Sequence, residues 1–172
     1  MNNKKITYFL SLIFLFLLQT ASLNVFSNVP YVVPQLLLLF VIILSLTHSL
    51  PEAVWFAFTA GFLAEVFSGL FFGTYIFGFV VIGVAVYVTT RHLISQEIMI
   101  LPTAILVISG TLLLPLLAYF FNWFASALYS TVAVPIRNFY PPAIIWTVFS
   151  NLIFCYPITK IFIFFSRLKT AK

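Results

Sequence analysis

VVPQLLLLFVIILSLTH, residues 32–48, is followed by SLPE at 49–52 and then by AVWFAFTAGFLAEVFS at 53–68. Each long run approaches the roughly 20 apolar residues that a helix needs to cross a bilayer. Pro34 stands near the start of the first run, where a missing N–H costs little. Between the runs, Ser49 reads as an N-cap, and Glu52 three residues later reads as the partner that closes a capping box. Extended along the chain, the same reading gives spans at about 6–23, 32–48, 53–68, 75–90, 98–121 and 143–165. The expected fold is an all-α polytopic membrane protein, a bundle of six transmembrane helices forming one domain over residues 1–172.

Composition supports the bilayer as solvent. Of 172 residues, 63% are hydrophobic and 6% are charged, against roughly 25% charged in soluble chains. Eight Lys or Arg and three acids cannot cover a globule that also carries 22 Phe. The first run, Ile6 to Leu23 behind Lys4 and Lys5, loosely satisfies a secretory signal, with Thr20 and Ser22 as small residues. More membrane sequence follows it, which favours a retained first helix. Gly110 and Pro115 are candidate kink points in the fifth span and Pro157 in the sixth. Asn122 to Pro142 is the one long connection, closed by Pro141-Pro142.

The titratable groups limit the chemistry. The acids are Glu52, Glu65 and Glu97, there is no aspartate, and the histidines are His48 and His92, both at span ends where solvation is the default reading. Paired-carboxylate, metal-dependent and nucleophile-base mechanisms have few groups to draw on, and no GxSxG, HExxH, CxxC or Walker-type pattern occurs. No catalytic residue, metal ligand or cofactor is expected. Cys155 is alone, so an internal disulfide is excluded. The net charge of +5 is scattered over segment ends, which argues against a nucleic-acid surface. It fits topology instead. With the N-terminus cytoplasmic, Lys4, Lys5, Arg91, Lys160, Arg167, Lys169 and Lys172 fall inside and Arg137 outside, which places both termini in the cytoplasm. Tyr31, Tyr75, Trp123, Tyr129, Tyr140 and Trp146 gather as aromatic anchors at the outer ends.

Glu65 is the most informative residue. An ionised carboxylate inside an apolar span costs about 2.5–3.5 kcal/mol on insertion scales, so it calls for a partner. Gly61, Glu65 and Gly69 are spaced by four and would share a helix face, with Gly73 continuing the small-residue spacing. Two readings stand: Glu65 faces the bundle interior or a partner helix and accepts hydrogen bonds from Ser, Thr, Gln or Asn, or it is a neutral Glu near the outer interface. Gln19, Gln35 and Asn151 are amides at membrane depth, expected to tie helices together for roughly 0.6 kcal/mol each.

The order Pro34-Gln35 with Leu36 to Leu39, then Gly61-Phe62-Leu63-Ala64-Glu65-Val66-Phe67-Ser68-Gly69, then Gly73 and Gly78, resembles the MreD family of the bacterial rod-shape machinery. Leu17-Leu18-Gln19, Asn151 and Pro157 also fall where that family tends to carry similar residues. Members more often have Asp where this chain has Glu65, which keeps the charge and lengthens the side chain. The resemblance implies a non-enzymatic protein of the cell (inner) membrane that binds MreC, a bitopic protein, and acts with MreB, RodA and a class B penicillin-binding protein in lateral peptidoglycan synthesis. It also implies a fold similar to the six-helix substrate-binding subunits of energy-coupling-factor transporters. The alternative is a vitamin-binding subunit of such a transporter. An Ala-x-x-x-Ala docking pattern would mark it, and the first run has only Ala21. An intramembrane enzyme is the least supported reading, given the missing aspartate.

Overall fold

The computed structural model describes residues 3–25, 34–93, 100–129 and 141–167, and all of its elements are helices. They are α1 (Asn3–Val25), α2 (Leu36–Thr47), α3 (Leu50–Glu65), α4 (Thr74–Leu93), α5 (Ile100–Tyr129) and α6 (Pro141–Arg167). Glu97, Arg137, Lys169, Lys172, Tyr31, Tyr140 and the side chains of Lys4, Lys5, Tyr129 and Arg167 lie outside the described residues. Among the described residues, two helical stretches, Thr74–His92 and Leu101–Leu128, are long and apolar enough to cross a membrane; shorter apolar ones cover Ile6–Ser22, Leu36–Thr47 and Ile144–Lys160.

The centre of the molecule is α2. Every residue from Leu36 to Ser45 is buried, as expected of a helix that is apolar on all sides. It packs on α1, α3, α4, α5 and α6. Phe56, Ala57, Phe79, Ile82, Val107 and Leu114 supply much of the wall around it. The helix is shorter than the span 32–48 read from the sequence. Pro34 and Gln35 precede it, and Gln35 takes φ −85° and ψ 72°, outside the helical region. Its 12 residues are about 18 Å long, well short of the roughly 30 Å hydrocarbon thickness. Its first N–H groups therefore start inside protein and need protein acceptors.

Beyond α2, α3 begins at Leu50, directly after the expected N-cap Ser49, with Pro51 in its first turn. Ser49 occupies the N-cap in extended geometry, but its side chain makes no capping hydrogen bond. The capping box therefore does not form on the Ser49 side. A proline at the second helical position removes one of the two N–H groups that a cap oxygen ordinarily reaches. At its other end α3 stops at Glu65, not Ser68. The ladder tightens to three-residue spacing, with Phe67 N–H donating to Ala64 at 3.3 Å and Ser68 N–H to Glu65 at 3.0 Å.

Gly69 then turns the chain at φ +65° and Gly73 at φ +100°, in the region that favours glycine. Gly69 thus lies beyond the helix and does not share a face with Gly61 and Glu65. In the finished hairpin, α3 and α4 form the most closely packed pair of helices.

The helix α5 runs eight residues past the expected end at Phe121. Asn122 to Tyr129, read as part of the long connection, are helical because the run keeps an inward face of Asn122, Ala125 and Ser126. The rest of that connection, 130–140, is outside the described residues. Pro141 and Pro142 open α6, where fixed φ suits a first turn. At the predicted inner ends, Arg91 lies 5.4 Å over the Tyr87 ring and Lys160 5.6 Å over the Tyr156 ring. His48 is not simply solvated: its ring meets Tyr8 edge-on at 4.8 Å.

Candidate functional site

Buried polar groups gather at two helix starts. At the start of α2, the N–H of Gln35 donates to Asn151 Oδ1 at 2.7 Å, and the N–H of Leu37 donates to Gln19 Oε1 at 3.1 Å. These are the N-cap and second helical positions, so α1 and α6 each supply an acceptor for a group that has none within α2. The regular ladder takes over where Leu39 N–H donates to the Gln35 carbonyl at 3.1 Å. Asn151 is fully buried, and its Nδ2 donates to Thr111 Oγ1 at 2.9 Å. The Thr111 hydroxyl in turn donates to the Val107 carbonyl at 2.7 Å. One asparagine on α6 therefore joins α2 to α5.

At the start of α4 the acceptor is a carboxylate. Glu65 is 6% exposed, and its Oε2 accepts the N–H of Tyr75 at 2.7 Å and of Ile76 at 3.3 Å. Its Oε1 accepts the Ser68 hydroxyl at 3.3 Å. Thr74 completes the first turn, its N–H donating to the Phe71 carbonyl at 3.2 Å and its hydroxyl to the same oxygen at 2.6 Å. The Glu65 carboxyl stands at the N-terminus of α4, where the first-turn N–H groups lack acceptors within the helix and the dipole favours an acceptor oxygen.

Gly61 sets this reach. A Cβ built on it would lie 2.6 Å from Ile76 Cα and 3.0 Å from the Tyr75 carbonyl oxygen. Backbone meets backbone there, one helical turn before Glu65, so the carboxylate arrives at the first N–H groups of α4 instead of spanning a gap.

Of the residues singled out from the sequence, Gln19, Gln35 and Asn151 come together at the α2 start. Gly61 and Glu65 come together at the α4 start, and Gly69 and Gly73 lie in the turn between α3 and α4. Ser68 is the one side chain of the expected kind on Glu65; its other donors are main-chain N–H groups. The reading missed Thr111, whose hydroxyl back-bonds within α5 and still accepts from Asn151. It also missed Thr103, Ser126, Ser150 and Thr159, all buried on α5 and α6. Hydroxyls on apolar helices give little sequence signal because they can satisfy themselves on the preceding turn. Among the described residues, no group of three His, Cys, Asp or Glu could hold a metal ion.

A cavity of about 220 Å³ lies between the two helix starts. Gln19, Gln35, Tyr75, Phe16, Phe67 and Phe79 are among the residues that line it.

The class defined by this arrangement is an all-helical membrane protein whose buried polar groups hold helix ends. The family model for rod shape-determining protein MreD matches residues 3–165, nearly the whole chain, and the chain belongs to that family. It is thereby a rod shape-determining membrane protein, from a family that is part of the MreBCD shape machinery. No curated protein and no solved structure matches the chain.

Proposed function

We propose that the chain is a non-enzymatic, six-span subunit of the cell-elongation machinery that scaffolds an MreC-like bitopic protein, and through it the lateral peptidoglycan synthesis complex. MreB, RodA and a class B penicillin-binding protein are indirect partners, and both termini face the cytoplasm. Family membership over residues 3–165 carries this reading. The seven-to-one distribution of cations supports the orientation.

The site supports a scaffold in a specific way. Gly61 and Glu65 serve packing within the chain, setting the α3–α4 hairpin, and the Gln19 and Asn151 amides hold the start of α2 at the centre. A partner then meets a surface whose shape these groups determine. The six-helix resemblance to energy-coupling-factor subunits belongs to the same proposal.

The test is depletion in a rod-shaped host followed by microscopy and by capture of MreC on the tagged protein. Rounding of the cells and recovery of MreC are expected. Unchanged rods, or lost vitamin uptake with normal shape, would overturn the reading. Reporter fusions at the C-terminus test the orientation, and an extracytoplasmic signal there contradicts it.

A further inference from the structure

The cavity between the α2 and α4 starts has hydrogen-bonding capacity left over. Gln19 uses its Oε1 on Leu37, and no described residue pairs with its side-chain NH₂. The side-chain amide of Gln35 has no partner among the described residues; its Oε1 is buried without a hydrogen bond. The Tyr75 hydroxyl likewise has none among them. All three residues line one space. A turn of the Gln35 amide about its last torsion presents either oxygen or nitrogen to that space. A buried amide oxygen without a hydrogen bond, such as Gln35 Oε1, is costly to leave unpaired, so an occupant that pairs with the Gln35 amide is favoured.

Charge complementarity narrows the class. Among the described residues, no Lys, Arg, His, Asp or Glu lines the cavity. Helix N-termini ordinarily attract anions, but here Glu65, Gln19 and Asn151 already hold N–H groups at both starts. Phe16, Leu63, Phe67, Phe79 and Leu114 give the space an apolar wall. At about 220 Å³ it is smaller than the roughly 300–1,000 Å³ of drug-sized pockets. It has room for one polar group and a few attached carbons.

We propose that this cavity is a binding site for an uncharged amphiphile whose polar group both accepts and donates hydrogen bonds, held by Gln19, Gln35 and Tyr75. Such a group occurs as the hydroxy-ester end of a neutral glycerolipid and as a free small amide. The proposal stands on the cavity alone and is independent of the scaffold reading.

The test is thermal unfolding of the full-length protein in a non-ionic detergent with three probes: 1-monooctanoylglycerol, benzamide and octanoate. One of the two neutral probes is expected to raise the midpoint saturably. Monooctanoylglycerol marks a lipid source and benzamide a soluble one. The combined variant Gln35→Leu, Tyr75→Phe should weaken the apparent affinity by about tenfold or more, and Ala64→Phe, which fills the space, should abolish the shift. If the combined variant does not fold, Tyr75→Phe alone, which keeps the ring, carries the comparison. Three results would overturn the site: no saturable shift with either neutral probe, an equal shift with octanoate, or shifts that persist in the folded variants.

Discussion

The starts of α2 and α4 solve one problem with different materials. Both are N-termini set among other helices. At α4 the acceptor is a carboxyl group on the preceding helix, ten residues before Tyr75. At α2 the acceptors are neutral amides, one 18 residues before Leu37 and the other 116 residues after Gln35. The α4 start is thus closed within one hairpin, whereas the α2 start is complete only when α1 and α6 have docked. A local cap sets one element; a distributed cap sets the whole bundle.

The largest effect is expected from Glu65→Leu. It strands the N–H groups of Tyr75 and Ile76 and should lower stability by about 3 kcal/mol, read as a fall in thermal midpoint in detergent. Glu65→Gln keeps one acceptor and should recover more than half of that loss. Gly61→Val comes next. Its side chain must push α3 off the Ile76 backbone, at about 2–3 kcal/mol, and equal loss with Glu65→Leu in the same chain would show that the two act through one contact. Asn151→Leu should follow at about 1–2 kcal/mol, with the loss coupled to Thr111→Val in a double-mutant cycle. Gln19→Leu, which removes one acceptor at 3.1 Å, should be the smallest, about 0.6 kcal/mol. Asn151→Leu and Glu65→Leu share no partner and should add. A strong coupling between them would break the separation of the two starts.

Much of this was legible in the sequence, and the limits have physical causes. Apolar runs gave six helices in order, but their bounds moved wherever a backbone choice depended on tertiary contacts. The α2 start slid to Leu36 because Asn151 and Gln19 hold the N–H groups there. The α5 end passed Phe121 because Asn122 and Ser126 found buried places. Glu65 stood out because an acid in an apolar run needs a partner. That its main partners are main-chain N–H groups could not be read from side-chain spacing. Gly69 looked like a helix-face residue at four-residue spacing, yet the helix had already ended at Glu65. Gln19 and Asn151 read as helix ties, while their convergence on a single helix start depends on how α1 and α6 pack; Gln35 takes part there through its main-chain N–H, not through its side-chain amide.

The central claim is that the buried Glu65 carboxyl holds a helix end and reaches a partner only through the shape it maintains. Capture of MreC by folded wild-type, Glu65→Gln and Glu65→Leu proteins, each normalised to its folded fraction, tests this most directly. The expected result is capture per folded molecule near the wild-type level for Glu65→Gln, with losses in Glu65→Leu that follow its lost stability. A Glu65→Gln protein as stable as wild type that no longer captured MreC would contradict the claim, because the charge itself would then touch the partner.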